Sequence, residues 1–436
     1  MTIELNPVGV TCNIRCTYCY ENPVRDADGE DKKYNIEKML EAADKTGQKF
    51  TVFGGEPLLV PLEDLEKIFQ HGYNRFKSNG IQTNGTLITD RHIELFKKYN
   101  VHVGISIDGP GELNDARAVG SLENTRKMTK RSEDNIIKLI NSHNNPSLII
   151  TLHKINCSDT RLNTFIDWLV YLDNIGITSA RLHFLENDNA DHLRLTDEQA
   201  FQAFRRISKL PLKRLRFDTF QEIKALLTGQ GEYSCNWNSC DPYTTPAVHG
   251  IDGSGSLVNC QRTNKDGISW RKADSYSNIR AVALYHTPQE YGGCKGCEWF
   301  AFCKGECPGE SKDWRNRTDH CGLIKMLFKS VEDELIEAGI NPLSRSEGLH
   351  DMEQAIINTD HIDSPHNDIT HLDTAHIDSL HDDVFRFEVP VNYSHNEHHH
   401  MDMEVHVDNI HLDSSGNPLH HMDGTTHIDG HTDIEK

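Results

Sequence analysis

Three cysteines, Cys12, Cys16 and Cys19, form a C-x3-C-x2-C step within Thr11–Tyr20, TCNIRCTYCY. Thiolates held this closely on one loop suit three irons of a [4Fe–4S] cluster and leave the fourth iron open. Four cysteines close a cluster for electron transfer; three leave room for a ligand. An open iron takes an amine and a carboxylate together and can pass one electron to whatever they carry. A three-ligand zinc site and unrelated thiols are the other readings. Zinc more often takes paired C-x2-C steps separated by a longer loop.

The next stretch bears on that choice. Gly54-Gly55-Glu56-Pro57 follows the apolar run Phe50–Phe53, which reads as a strand. Two glycines let backbone approach a ligand closely, and the glutamate or exposed carbonyls can take an ammonium group. An ordinary strand-to-helix turn is the alternative. S-Adenosylmethionine offers the amine and carboxylate that the open iron needs, and its sulfonium splits on receiving an electron. Together the cysteine triplet, with Tyr18 before its last member, and GGEP resemble the radical SAM superfamily. The resemblance implies that Cys12, Cys16 and Cys19 hold the cluster, that Tyr18 packs beside the adenine, and that Gly54, Gly55, Glu56 and Pro57 meet the methionine amine. It also implies a 5′-deoxyadenosyl radical as the reactive species, with the chemistry carried by the cofactor and positioned by the protein.

These residues need a scaffold. Strand-like segments at Thr2–Leu5, Phe50–Phe53, Gly80–Thr83, Val101–Ile107, Leu148–Leu152 and Ala180–Phe184 alternate with helical ones at Asn35–Thr46, Leu62–Phe76, Asp90–Tyr99, Asn124–Asn141 and Asp159–Leu172. The helical segments carry apolar residues at three- and four-residue steps, and Thr89 is placed as an N-cap. Strands separated by helices pair in parallel through right-handed crossovers. Six such units predict an α/β fold with an open, partial (β/α)6 barrel. Ligands then gather at the C-terminal ends of the strands. Gln82-Thr83-Asn84-Gly85 and Ser106-Ile107-Asp108-Gly109 close the third and fourth strands. Both resemble cofactor-facing strand ends of the superfamily, which brings Thr83, Asn84, Ser106 and Asp108 into the cofactor set; a turn stabilised by Asn, Asp and Gly is the other reading. Arg117, in Asn114-Asp115-x-Arg117, is the matching partner for the cofactor carboxylate, although related enzymes often have His before that Asp and one more residue before the Arg. His153 and His183 stand near strand ends and Cys157 stands alone; all three read as structural.

Cysteines return after Thr219–Leu227, read as a linking helix. Cys235 and Cys240 come first. Cys260 is placed on the returning strand of a hairpin signalled by Asp252-Gly253-Ser254-Gly255. Then come Cys294-x2-Cys297-x5-Cys303-x3-Cys307 and Cys321. Eight thiols are what two fully ligated [4Fe–4S] clusters need; zinc ribbons are the alternative. The pattern resembles the SPASM extension, which implies Cys235, Cys240, Cys260 and Cys307 around one auxiliary cluster and Cys294, Cys297, Cys303 and Cys321 around a second. The implied cofactors are S-adenosylmethionine and three [4Fe–4S] clusters. The expected domains are a radical SAM core at 1–215, a linking helix at 216–232, the auxiliary-cluster domain at 233–325, a C-terminal helix (Leu323–Ala338) and linker within 326–349, and a tail at 350–436.

That tail explains the charge. The chain carries −21, of which nineteen acidic and two basic residues lie in 350–436, so the body is close to neutral. The low hydrophobic share of 36 % also reflects the tail. Sixteen of the 26 histidines lie there. His361, His366, His371, His376 and His381 recur every five residues, each followed two later by an Asp, and H-x-D returns at His400, His406, His411, His421, His427 and His431. Five residues is the period of neither helix nor strand. A largely disordered acidic segment, a weak repeated metal binder and a fused substrate for aromatic-to-β-carbon crosslinking are the readings.

No basic stripe of the kind nucleic acid needs is present, and no apolar run approaches the roughly 20 residues that span a bilayer. With no secretory signal at the start and cysteines clustered in metal-ligand steps, a cytoplasmic, reducing location is expected. Because the cluster loop begins at residue 12, no separate peptide-recognition domain is expected ahead of it. The resemblance implies an oxidative peptide or protein maturase, with an electron donor such as flavodoxin or ferredoxin as a partner. A sulfatase-maturing enzyme making formylglycine, and a non-enzymatic metal-storage or sensing protein, are the alternatives. No catalytic base is assigned.

Overall fold

The computed structural model describes residues 2–28, 33–185, 188–238, 240–241, 250–263, 279–311, 313 and 315–345. The tail repeats therefore lie outside the described residues. Six parallel strands form the centre: β1 (Thr2–Asn6), β2 (Lys49–Val52), β3 (Asn79–Thr83), β4 (Val101–Ser106), β5 (Ser147–Leu152) and β6 (Ser179–Phe184). They pair in sequence order, each beside the next. This is the open barrel expected from the six strand–helix units, with strand ends within one residue of the reading.

Alternation along each strand divides the sheet into two faces. Ile3, Leu5, Phe50, Val52, Ile81, Val103, Ile105, Leu148, Ile150 and Leu182 are buried in one apolar cluster. They pack under the helices Ile36–Thr46 and Leu62–Phe76, whose Met39, Ala43, Leu65, Ile68 and Phe69 point inward. Burying each such side chain stabilises the fold by about 1.5–3 kcal/mol. The other face is concave and polar. The register sets Glu4 opposite Thr51 and Gln82 opposite Gly104, and Gln82 Nε2 donates to Ser106 Oγ across the sheet at 2.8 Å.

Three more strands extend the sheet beyond the expected six. β7 (Arg216–Phe217) adds to β6. At the opposite edge β8 (Gly250–Asp252) pairs in parallel with β1, and β9 (Leu257–Val258) turns back against β8. An open edge strand is a liability, and the cysteine-rich segment caps β1. Cys260 lies two residues past β9, ahead of the 3-10 turn Gln261–Thr263, and not on the returning strand. Asp252 Oδ1 accepts from Ser254 and Ser256 N–H groups and closes the hairpin early. Helix Asp218–Thr228 buries Ile223, Leu226 and Leu227 in the barrel's own core, as does helix Cys321–Glu337 through Leu323, Ile324, Leu327 and Phe328. Helices Asn22–Asp28 and Asp197–Ser208 were not foreseen. Among the described residues no helix is long and apolar enough to cross a membrane.

Candidate active site

None of the twelve cysteines forms a disulfide. The loop after β1 carries Cys12, Cys16 and Cys19 above the strand ends, and its course depends on contacts with no side chains to spare. A Cβ on Gly55 would lie 2.2 Å from the Thr11 carbonyl oxygen, and one on Gly54, at φ +131°, 2.3 Å from Asn6 Oδ1. Gly55→Ala is therefore expected to displace the cysteine loop, cost about 1–3 kcal/mol and lower iron incorporation. Iron per chain after anaerobic reconstitution measures it; native iron content in this variant would refute the packing argument.

Each of the three sulfurs receives an N–H donor: Asn84 Nδ2 to Cys12 Sγ at 3.8 Å, Arg117 Nη1 to Cys16 Sγ at 4.0 Å and Arg25 Nη2 to Cys19 Sγ at 3.7 Å. Burial pushes the Cys12 thiol up to about 11 and Cys16 up to about 12. Such thiols are inert until a cation compensates the thiolate, and donors aimed at the sulfurs are what a cluster-bound thiolate takes up. Among the described residues no three His, Cys, Asp or Glu side chains converge on a single-ion centre. Arg25, on helix Asn22–Asp28, was missed from the sequence; its one signal is the i+6 step from Cys19.

Several sequence-assigned cofactor residues hold the site together from behind. The Glu56 carboxylate is fully buried and accepts from Leu58 N–H at 3.0 Å, Thr83 Oγ1 at 2.7 Å and Asn84 N–H at 2.8 Å. Burial raises it to about 6 against those bonds. Those bonds engage both of its oxygens, and Pro57 is the buried first residue of the turn Pro57–Leu59. Thr83 is 2 % exposed, and Asn84 is occupied by Cys12, Asn13 and Thr86. Ser106 faces the concave side, where it accepts from Gln82.

Asp108 is a hub with no exposure. Its carboxylate pairs with Arg117 Nε at 3.1 Å and accepts from Thr151 N–H at 2.9 Å, from the Tyr18 hydroxyl and, at 3.3 Å, from His153 Nε2. Burial pushes the Asp108 carboxyl up, but the Arg117 charge and the bonds from His153 and Tyr18 outweigh it and hold the group well below the ordinary carboxylate range. Asn114, the departure from the expected His, donates to Thr129 and accepts from the Asp108 N–H at 2.8 Å, fixing the loop that carries Arg117. Tyr18 thus rests between Arg117 and His153, with ring contacts of 5.7 and 5.6 Å. Cys157 is a buried core residue.

The structure brings the later cysteines into two neighbourhoods. Cys260 feels the charges of Cys240, Cys307 and Cys235. Cys294, Cys297, Cys303 and Cys321 line one small pocket with Trp299, Phe300 and Arg317. Cys321 opens helix Cys321–Glu337, where the positive helix end favours a thiolate. Arg280, 1 % exposed, lies between the two sets: it donates to the carbonyls of Glu306 and Asn316 at 2.8 and 2.7 Å and feels Cys307, Cys240, Cys294 and Cys303.

Between the first thiol set and the Cys260 set stand residues the sequence did not flag. Glu4 lies within electrostatic reach of Cys235 and Cys260 on one side and of Tyr20 and Glu21, beside Cys19, on the other. Burial pushes both Glu4 and Glu21 up to about 7. Arg262 pairs with the buried Glu310 at 2.8 Å, and burial with the nearby Arg262 and Arg181 charges keeps His183 neutral.

Residues 6–162 match the family described as the Radical SAM superfamily. A serine-type anaerobic sulfatase-maturating enzyme of Bacteroides thetaiotaomicron is 38 % identical over 128 residues, 26 % of this chain and 30 % of the relative, so the match spans under a third of that protein. A cysteine-type anaerobic sulfatase-maturating enzyme of Clostridium perfringens is 23 % identical over 382 residues, 78 % of this chain and 99 % of the relative. The solved structure of anSMEcpe with bound AdoMet and Cp18Cys peptide superposes with a TM-score of 0.62 at 19 % identity, covering 77 % of this chain and 98 % of that one, a likeness of fold.

Proposed function

We propose that this chain, which belongs to the radical SAM superfamily and carries a SPASM-type cysteine extension, oxidatively modifies a side chain of a peptide or protein. When bound at Cys12, Cys16 and Cys19, the cluster with S-adenosylmethionine supplies a one-electron reduction that yields a hydrogen-abstracting radical. The chain's own residues do the rest. Asn84, Arg117 and Arg25 direct N–H groups at the cluster sulfurs. The Gly54–Gly55 backbone receives the cofactor's amine. Asp108 fixes Tyr18 and Arg117 at the strand ends. Cys235, Cys240, Cys260 and Cys307, and Cys294, Cys297, Cys303 and Cys321, would hold two auxiliary clusters, which would supply an electron acceptor for an oxidation. A flavodoxin or ferredoxin supplies the first electron.

The observation that carries this reading is the sulfur-directed donor at each of the three loop cysteines, with Cys235 and Cys260 of a further thiol set in electrostatic reach of Glu4 on β1. The near full-length similarity to cysteine-type sulfatase-maturating enzymes favours one specific second reading, formylglycine formation. A crosslinking maturase acting on the H-x-D repeats is its rival. One experiment separates them. The full chain is reconstituted with iron and sulfide, reduced with dithionite and given S-adenosylmethionine, alone and with short peptides containing Cys or Ser. 5′-Deoxyadenosine with an aldehyde in the added peptide supports the sulfatase-maturing reading. 5′-Deoxyadenosine with tail peptides lighter by about two hydrogens per repeat supports self-modification. Failure to cleave the cofactor with all clusters intact overturns the enzyme reading in favour of metal storage or sensing.

A further inference from the structure

Among the described residues, Arg280 is the bulkiest fully buried side chain. It stands second on helix Ile279–His286. Its guanidinium donates to four carbonyls: Asn316 at 2.7 Å, Glu306 at 2.8 Å, Gly305 at 3.2 Å and Cys240 at 3.5 Å. Cys240 belongs to the first auxiliary set. Gly305 and Glu306 lie between Cys303 of the second set and Cys307 of the first. That short connection is strained: Lys304, Gly305 and Glu306 are all left-handed, with φ of 51°, 78° and 57°. Two of the three are not glycine, and such residues persist only where their surroundings hold them. The last two carbonyls of this run both accept from Arg280. A Cβ on Gly305 would lie 2.4 Å from Leu284 Cδ1, on the same helix as Arg280.

Carbonyls have no net charge, so these four bonds hold the guanidinium without neutralising it. The charges it feels most are thiolates from both sets, Cys307 and Cys240 of the first and Cys294 and Cys303 of the second. The buried Glu310 nearby is paired with Arg262 at 2.8 Å. Arginine keeps its proton in proteins, and burial weakens the screening of its charge. A cluster that takes an electron gains a negative charge, and local charge and burial set its potential. We propose that Arg280 tunes both auxiliary clusters together: its one buried positive charge favours the reduced state of each and makes the pair better electron acceptors. The inference rests on the two-cluster reading above and adds the residue that sets how readily the clusters are reduced.

The test uses the full chain with Cys12, Cys16 and Cys19 replaced by alanine, so that only the auxiliary clusters are read. It is reconstituted anaerobically with Arg280 native, as Arg280→Gln and as Arg280→Lys. Iron is counted, and redox titrations followed by electron paramagnetic resonance give both potentials. Arg280→Gln is expected to lower each potential by about 59 mV, a tenfold change in the one-electron equilibrium. Arg280→Lys keeps the charge and should restore most of that shift, though it cannot reach all four carbonyls and should take up iron more slowly. Unmoved potentials in an iron-replete Arg280→Gln chain, a shift in one cluster alone, or an equal shift in Arg280→Lys would overturn the assignment. If Arg280→Gln does not assemble, Arg280→Lys decides by itself: potentials close to native support tuning by charge, and a tenfold shift refutes it. Loss of iron in both variants would reduce Arg280 to a strut for the ligand loops and also overturn the proposal. Fewer than about eight irons with Arg280 native would sink the two-cluster reading itself; about eight irons with unmoved potentials sink only the role of Arg280.

Discussion

Replacing Cys12, Cys16 and Cys19 together by alanine is expected to abolish 5′-deoxyadenosine formation and to remove about four irons per chain, while the remaining thiols keep theirs. The size of the effect follows from the absence of substitutes. The donors around the loop, Asn84, Arg117 and Arg25, carry nitrogen aimed at sulfur, and none can ligate iron in its charged or amide form. No other cysteine lies on the loop; Cys157 is buried in the apolar core. Iron analysis with product chromatography on the same preparation decides it. Retention of all the iron would mean that the loop cysteines hold no cluster, and residual cofactor cleavage would place that chemistry elsewhere.

Asp108→Asn is expected to be the most destabilising single change at the site. It leaves Arg117 charged and nearly buried without its anion, and breaking a buried pair this way costs about 3–5 kcal/mol. Asparagine is close in size, so the loss reports charge more than packing. The pH dependence has a definite sign. The folded-state carboxyl is held below its ordinary value of about 4, so the native chain enjoys the full stabilisation above that value. The advantage is lost as pH falls towards the folded-state value. Denaturant midpoints for native and variant chains at neutral and acidic pH should therefore draw together in acid. A variant as stable as the native chain at neutral pH would show that Arg117 finds another partner and that the pair is dispensable.

The barrel was legible because its strands obey a strict alternation. Ile3 and Leu5 flank Glu4, and Val103 and Ile105 flank Gly104, so one face had to be buried and the other free. The cysteines were legible because thiol spacing is a sparse signal that few other structures use. What the sequence withheld was direction. Glu56 and Asp108 stand out in sequence as acidic residues just past strand ends, yet nothing local told that their carboxylates gather backbone N–H groups and Arg117. Those partners, Thr83, Asn84, Thr151 and His153, come from other strands. Glu4 and Gln261 lie 257 positions apart, so no window of sequence could join them. The hairpin turn at Asp252–Gly255 was legible, but the place of its first strand, Gly250–Asp252, was not: three residues carry no periodicity, and pairing with the far-off β1 fixes them.

That pairing of β8 with β1 has a consequence for how the protein is made. Ribosomes deliver the N-terminal strand first, and β2 covers one of its edges early. The other edge must wait until residue 250 and its neighbours have been synthesised. At about 5–20 residues per second the nascent barrel spends many seconds with one strand's N–H and C=O groups unpaired, which is a template for association between chains. Fragments ending before the hairpin would keep that edge permanently, so expressing the barrel alone invites aggregation. Supplying chaperone capacity and slowing synthesis are then as relevant to obtaining active protein as supplying iron.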